Sequence, residues 1–224
     1  MRVVLRIGGS VVASPVRPDL ITEYARIMKV LKVQGCQLAV VLGGGALARE
    51  FISVAKTLGL KQKSQDEIAI LVSRMYAQLF VNKIGNVGCG RVSLSIEEAV
   101  ECVAASKVAV MGGLKPGMTT DAVAALLAQS MKADLLVKAS NQEGIFDRDP
   151  EKYKDAIKLD HLKYKDLTRV CVEDKHEAGI HQILDPEAIN ILKHTGVKLI
   201  VVDGFKPRNL LAAVRGKRVG TLVD

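Results

Sequence analysis

Tryptophan is absent from this chain, and four Phe and four Tyr are its only aromatic residues. So few rings disfavour a protein that stacks successive bases along a nucleic acid strand. Cys36, Cys89, Cys102 and Cys171 are widely spaced and form no CxxC pair, which removes the usual zinc and dithiol motifs. A chain of 224 residues does not need a disulfide framework to fold, so the cysteines are expected to be reduced, as in a cytosol. No run approaches the 20 or so apolar residues of a membrane span, and Met1 to Ile7 enters an apolar strand without a signal-peptide core. The expected setting is cytoplasmic, with no membrane partner.

What is present is ordinary globular material with a basic bias. Apolar residues make up 49% and charged residues 25%, which excludes disordered, collagen-like and coiled-coil classes. The formal charge is +8 and the pI about 9.3. The basic residues are spread along the chain, so anionic small molecules such as nucleotides fit better than a nucleic acid track.

Short apolar runs alternate with helical patterns. The runs are Val3 to Ile7, Leu38 to Leu42, Lys107 to Met111, Leu135 to Val137 and Val197 to Val202. Helices are expected from Pro18 to Leu31 (with Leu20, Tyr24, Ile27 and Leu31 on one face), Ala46 to Leu58, Asp66 to Ile84, Ile96 to Ala105, Ala122 to Met131 and Pro186 to His194. Continuous apolar strands between helices imply a mostly parallel sheet buried on both faces, in one α/β domain. The polar stretch Asp147 to Lys175 is the least core-like part and suits an appended hairpin or lid.

Three of the runs end directly in glycine clusters: Gly8-Gly9, Gly43-Gly44-Gly45 and Gly112-Gly113. Glycines there let backbone N–H groups approach phosphate oxygens, and ligands of open α/β sheets bind beyond the carboxyl ends of the strands. Two familiar phosphate motifs nearly fit and fail. Gly43 to Ala48 reads G-x-G-x-x-A, but Asp66, the acid 23 residues beyond Gly43, opens a helix instead of closing a second strand. Gly112 to Thr119 has the P-loop spacing, with Met118 where the phosphate-binding lysine belongs. His176 and His181 are one residue too far apart for the HExxH zinc pair, and a surface loop is expected there.

The clusters and the stretches around them resemble the amino-acid kinase family, and within it the archaeal-type uridylate kinase branch. The resemblance is carried by Gly8-Gly9-Ser10, Gly43 to Gly45 with Arg49, and Asp66 ahead of Ser73-Arg74. It continues through Gly112-Gly113-Leu-Lys-Pro-Gly-Met-Thr-Thr-Asp121-Ala-Val-Ala-Ala, Lys138-Ala-Ser-Asn141, Gly144 to Pro150 and Gly220-Thr221. It implies a three-layer α/β/α sandwich and transfer of the ATP γ-phosphoryl group to UMP.

It also implies roles for residues. Gly9, Ser10, Gly45 and Arg49 would hold the ATP phosphates, and Ser140, Asn141, Phe146 and Asp149 the adenosine. Gly44, Asp66 and the loop Leu114, Lys115, Pro116, Gly117, Met118, Thr119 and Thr120 would hold UMP, with Asp66 accepting from the ribose. On residue chemistry alone Asp66 could be only a helix cap, Asp121 could serve only the dipole of its helix, and Lys138 could face solvent. By the resemblance Lys138, Asp121 and Arg6 would be catalytic, Asp121 orienting Lys138 or Mg²⁺.

Many family members carry Lys where this chain has Arg6; Ala69, Ser73 and Phe146 are smaller departures. Mg²⁺ would arrive with the nucleotide, since no carboxylate cluster marks a protein-built cage. The resemblance further implies a division into an acceptor and oligomer-contact part, residues 1–130, and an ATP part, 131–224. Relatives of this kind form hexamers, and Ile70, Leu71, Leu79 and Phe80 would supply an apolar face for that contact. Two other readings remain open: another small-molecule kinase of the same family (acetylglutamate, carbamate or isopentenyl phosphate), and a non-catalytic nucleotide-binding storage or sensor protein. Isopentenyl phosphate enzymes place a His soon after the second cluster, where Ala46-Leu47-Ala48-Arg49 has none.

Overall fold

A computed structural model describes residues 1–167 and 184–224. In chain order the elements are β1 (Arg2–Ile7), α1 (Gly9–Val12), α2 (Pro18–Val33), β2 (Gln37–Leu42), α3 (Gly45–Thr57), α4 (Gln62–Ile84), α5 (Ile96–Ala104), β3 (Ala109–Met111), α6 (Thr120–Ser130), β4 (Leu135–Ser140), β5 (Ile145–Phe146), β6 (Lys158–Leu159), β7 (His161–Leu162), α7 (Pro186–Lys193), β8 (Lys198–Asp203), α8 (Arg208–Val214) and β9 (Thr221–Val223).

Seven strands form one sheet in the order β3-β2-β1-β4-β8-β9-β7, and β5 pairs with β6 in a separate small hairpin. From β3 to β8 all neighbours are parallel; β9 runs antiparallel to β8. Alternation along β1 explains the layers. Val3, Leu5 and Ile7 point into a core shared with α2 and α4, through Ile27, Leu31, Tyr76 and Phe80. Val4 points the other way, into a core filled by Val123, Ala124 and Leu127 of α6 and by Ala188 and Leu192 of α7. The result is the expected three-layer α/β/α sandwich with a mostly parallel sheet.

Several details depart from the sequence reading. α4 begins at Gln62, one turn before Asp66, so Asp66 is not the cap of that helix. β4 continues through Lys138 to Ser140, because neighbours on both sides keep its ladder paired. β9 is a further departure: only three residues long, it lies between β8 and the edge strand β7. Phe80, expected on an outer face, is fully buried in the core, while Leu71 and Leu79 are exposed. The stretch from Asp147 contributes β6, the second strand of the hairpin, and β7, the edge strand of the main sheet.

The cysteines also correct the expectation. Cys89 and Cys102 are disulfide-bonded, tying the segment before α5 to that helix, and Cys36 is a buried free thiol. Cys171, the His176–His181 motif and the end of the polar stretch lie outside the described residues. Among the described residues no helix is long and apolar enough to cross a membrane.

Candidate active site

Register brings the two cations together. Arg6 on β1 and Lys138 on β4 are direct partners in the parallel ladder. Both have the parity of Val4 and Leu136, so they point to the face covered by α6. Asp121, in the first turn of α6, meets both: its Oδ2 accepts from Lys138 Nζ at 2.6 Å, and its Oδ1 lies 2.7 Å from Arg6 Nε. The Arg6 contact is an ion pair without hydrogen-bond alignment, and among the described residues neither Nε nor Oδ1 has a hydrogen-bond partner. Arg6 also donates from Nη2 to Thr120 Oγ1 at 3.1 Å.

Lys138 is only 6% exposed, which excludes a solvent-facing strand-end lysine. Burial of Asp121 disfavours its charge, but the charges of Arg6 and Lys138 outweigh that and hold the carboxyl below its usual range. Burial pushes the Lys138 ammonium down, opposed by Asp121 and reinforced by Arg6. Arg6 and Lys138 thus stand side by side against the Asp121 carboxylate in a low-dielectric corner, with the Asp185 charge acting on Lys138 as well. Such a corner suits an anion with several oxygens.

The first two glycine clusters meet backbone to backbone. A Cβ on Gly9 would lie 2.0 Å from the Gly45 nitrogen, so no side chain fits there. Ser14 fastens the junction, donating to the Gly9 carbonyl at 3.2 Å and accepting from the Ala46 amide at 2.6 Å. The third cluster lies as closely on α4: a Cβ on Gly112 would come within 2.7 Å of the Arg74 nitrogen. Ser73 Oγ accepts from the Gly113 amide at 2.7 Å, and Arg74 donates to the carbonyls of Gly113 and Leu114 at 3.0 and 3.1 Å.

Between α4 and the loop after β3 lies a cleft of about 460 Å³. Of the residues expected around an acceptor, Gly44, Asp66, Lys115, Gly117, Met118, Thr119 and Thr120 line it; Leu114 and Pro116 do not. Leu114 packs instead against the α6-side core. Asp66 clamps the loop, its Oδ2 accepting from the Gly117 amide at 2.8 Å and its Oδ1 from Gln62 Nε2 at 2.8 Å. Sequence reasoning missed Ala48 and Gly113 as lining residues, and besides them Gln62, Ala69, Ile70 and Ser73 of α4. The signal of the α4 residues was available: positions 62, 66, 69, 70 and 73 fall on one face at helical spacing.

The residues expected around ATP lie along the carboxyl ends of the central strands and just beyond. Ser10 stands in α1, directly after β1. Ser140 ends β4 beside Asp203 at the end of β8, and its hydroxyl approaches Asn141 Oδ1 at 3.3 Å. Phe146 lies on β5 opposite Lys158, and Asp149 shapes the following turn by accepting from the Glu151 amide at 2.9 Å. Arg49 is exposed on the second turn of α3 and makes no hydrogen bond or ion pair among the described residues. The structure therefore groups the three ionic residues and most of the acceptor set, and leaves the donor set spread along one sheet edge.

A parallel α/β sheet with a buried cation pair at its strand ends, closed by glycine-tight loops beside an open cleft, defines a phosphate-handling α/β enzyme. Residues 1–203 match the model of the amino acid kinase family, and the chain belongs to that family. It is 39% identical over 226 residues to a uridylate kinase of Methanocaldococcus jannaschii, covering 100% of both chains. It is 38% identical to a uridylate kinase of Methanoculleus marisnigri, covering 99% of this chain and 95% of the relative. Among solved structures, uridylate kinase from Archaeoglobus fulgidus superposes with a TM-score of 0.88 at 36% identity, with 100% of both chains covered. UMP kinase from Bacillus anthracis shares the fold, with a TM-score of 0.82 at 20% identity over 100% of this chain and 95% of that one.

Proposed function

We propose that the protein is a nucleoside monophosphate kinase that transfers the γ-phosphoryl group of ATP to UMP, giving UDP and ADP. The observation that carries this reading is the cleft between Asp66 and the 113–120 loop, which meets Thr120 and so adjoins the Arg6–Asp121–Lys138 cluster. Phosphoryl transfer needs positioning and neutralisation more than covalent chemistry. Lys138 and Arg6 supply fixed positive charge to the equatorial oxygens of the group in flight, and Asp121 holds both. Asp66, held by Gln62 and the Gly117 amide, presents a carboxylate for the ribose hydroxyls of the acceptor. Lys115 is an exposed cation lining the cleft for the phosphate of the acceptor. Ser140, Asn141, Phe146 and Asp149 hold the adenosine of the donor, while Gly9, Ser10, Gly45 and Arg49 reach its phosphates from the N-terminal part, which otherwise serves UMP and subunit contacts up to about residue 130.

Asp121 is not a fit ligand for Mg²⁺, because both of its oxygens face cations. The metal is therefore read as part of the MgATP substrate, carried by its phosphates and water, and no step is drawn through it. Work on cytosolic nucleotides sets the enzyme in the cytoplasm. Assembly into a hexamer through the exposed faces of α3 and α4 completes the reading.

The test is release of ADP by the purified protein with UMP, CMP, dUMP, acetylglutamate, carbamate or isopentenyl phosphate as acceptor. UMP is expected to give the highest kcat/KM. Turnover of another acceptor but not of UMP would overturn the substrate and leave the family standing.

A further inference from the structure

The polar contacts at the start of α6 extend beyond Arg6, Asp121 and Lys138. Thr119 is the N-cap of α6, accepting from the Ala122 amide at 3.0 Å. Its hydroxyl donates to Oδ2 of Asp185 in a short hydrogen bond. Asp185 is itself the N-cap of α7, and its other oxygen accepts from the Ala188 amide at 2.9 Å. Two helix caps are thus joined side chain to side chain across the α6–α7 packing. Capping α7 uses one oxygen of Asp185 and leaves the bond to Thr119 unexplained.

The acceptor loop makes the purpose of that second bond visible. On its α4 side it is held by Arg74 at Gly113 and Leu114 and by Asp66 at Gly117. On its α7 side, among the described contacts, it is held by Asp185 at Thr119. Thr120, which touches Arg6, and Asp121, which touches Arg6 and Lys138, follow Thr119 directly. The Asp185 charge also acts on Lys138, favouring its ammonium form against burial and against Arg6.

We propose that Asp185 is a positioning residue for phosphoryl transfer: by holding Thr119 it fixes the first turn of α6, and with it Thr120 and Asp121, against the two cations. The proposal rests on the kinase reading of this site. Loss of the tie leaves the loop anchored on α4, so acceptor binding survives while alignment of the cation cluster suffers.

Asp185→Asn separates this role from capping. Asparagine caps a helix as well as aspartate does. With its oxygen on the Ala188 amide, however, it turns an NH₂ group to Thr119, so the charged acceptor of the hydroxyl proton is lost and only a weaker neutral contact to Oγ1 can replace it. The expected result is a melting temperature near the parent's, a kcat lowered about tenfold, and both KM values within about twofold, as for losing one hydrogen bond to a charged group. In ligand-free protein, hydrogen exchange at the amides of Thr120 to Val123 should quicken. Asp185→Ala, which loses the cap too, should show the same kcat deficit together with lower stability. Parent-level kcat and unchanged exchange in Asp185→Asn would overturn the proposal and leave Asp185 a helix cap. A parent that fails to phosphorylate UMP would overturn the functional reading instead, and the tie is then decided by exchange, where an unchanged rate sinks it as well.

Discussion

Burial gives Lys138 its value at the end of β4. An ammonium held in the protein interior by Asp121 needs no reorganisation when charge develops nearby, unlike one hydrated at the surface. Lys138→Ala should therefore lower kcat on the order of 10²–10³ while changing either KM little, as for losing one well-placed electrostatic donor. Lys138→Arg should restore part of this, because the guanidinium is bulkier and differently directed. Arg6→Ala should cost less, since Lys138 makes the aligned hydrogen bond to Asp121 and Arg6 does not. Steady-state kinetics of the three variants decide the matter; a dead Arg6→Ala beside a normal Lys138→Ala would reverse the two roles. Asp66 belongs to the same scale. Asp66→Asn should weaken UMP by about 1.5–3 kcal/mol and ATP much less, because it removes a charged acceptor at the cleft and loosens Gly117. Equal weakening of both nucleotides in calorimetric titrations would reduce Asp66 to a loop clamp.

Elements show what sequence could and could not reveal. β1, β2, β3 and β8 announce themselves as apolar runs, because strands buried on both faces admit little else. β9 and β7 do not: at three and two residues they carry too little pattern and exist only through pairing with β8 and with each other. The three charged residues of the site were visible singly, but their meeting depends on the ladder register of β1 with β4, which no local pattern encodes. The disulfide was hidden for a similar reason, since Cys89 and Cys102 meet only because the segment after α4 folds back beside α5.

Closing a loop over a separation of 13 residues is worth about 3 kcal/mol in the chain-entropy account. Reduction should therefore lower the melting temperature by several degrees and leave kcat and both KM values unchanged; a kinetic change would instead link α5 to the site.

The amino-terminal edge of the sheet, where the antiparallel β9 ends, offers a pH test. Asp224 is held by Lys163 and then by His161, which lower its carboxyl to about 2 from the usual 3.8. A carboxyl depressed in the folded state stabilises above its unfolded value and loses that contribution as pH falls through the folded one. The stability gap between parent and Asp224→Asn should be full at pH values above about 4 and close toward pH 2, measured by urea unfolding across that range.

At the scale of the whole molecule, α4 has to serve two surfaces. One face of its 23 residues carries Gln62, Asp66, Ile70 and Ser73 into the acceptor cleft. Another leaves Leu71, Met75 and Leu79 exposed at 63%, 52% and 43%, four residues apart. On α3, which packs against it, Phe51 and Val54 are exposed as well, and so is Leu58 at its C-cap. A helix that shows a row of large apolar side chains to water marks a surface built to be covered, and further copies of this chain are the occupants proposed above. Light scattering on the eluting protein should then give a multiple of 24.1 kDa. Replacing Leu71 and Met75 together by Lys should lower that mass, because two buried cations in a symmetric contact repel each other and lack partners. The acceptor face lies on the same helix, so the dissociated variant should bind UMP less tightly while its donor KM, set at the far ends of β4 and β8, stays near the parent value. A parent that elutes as a monomer would leave the apolar row without a purpose in assembly. A smaller variant with unchanged UMP affinity would show that the cleft is complete within one chain.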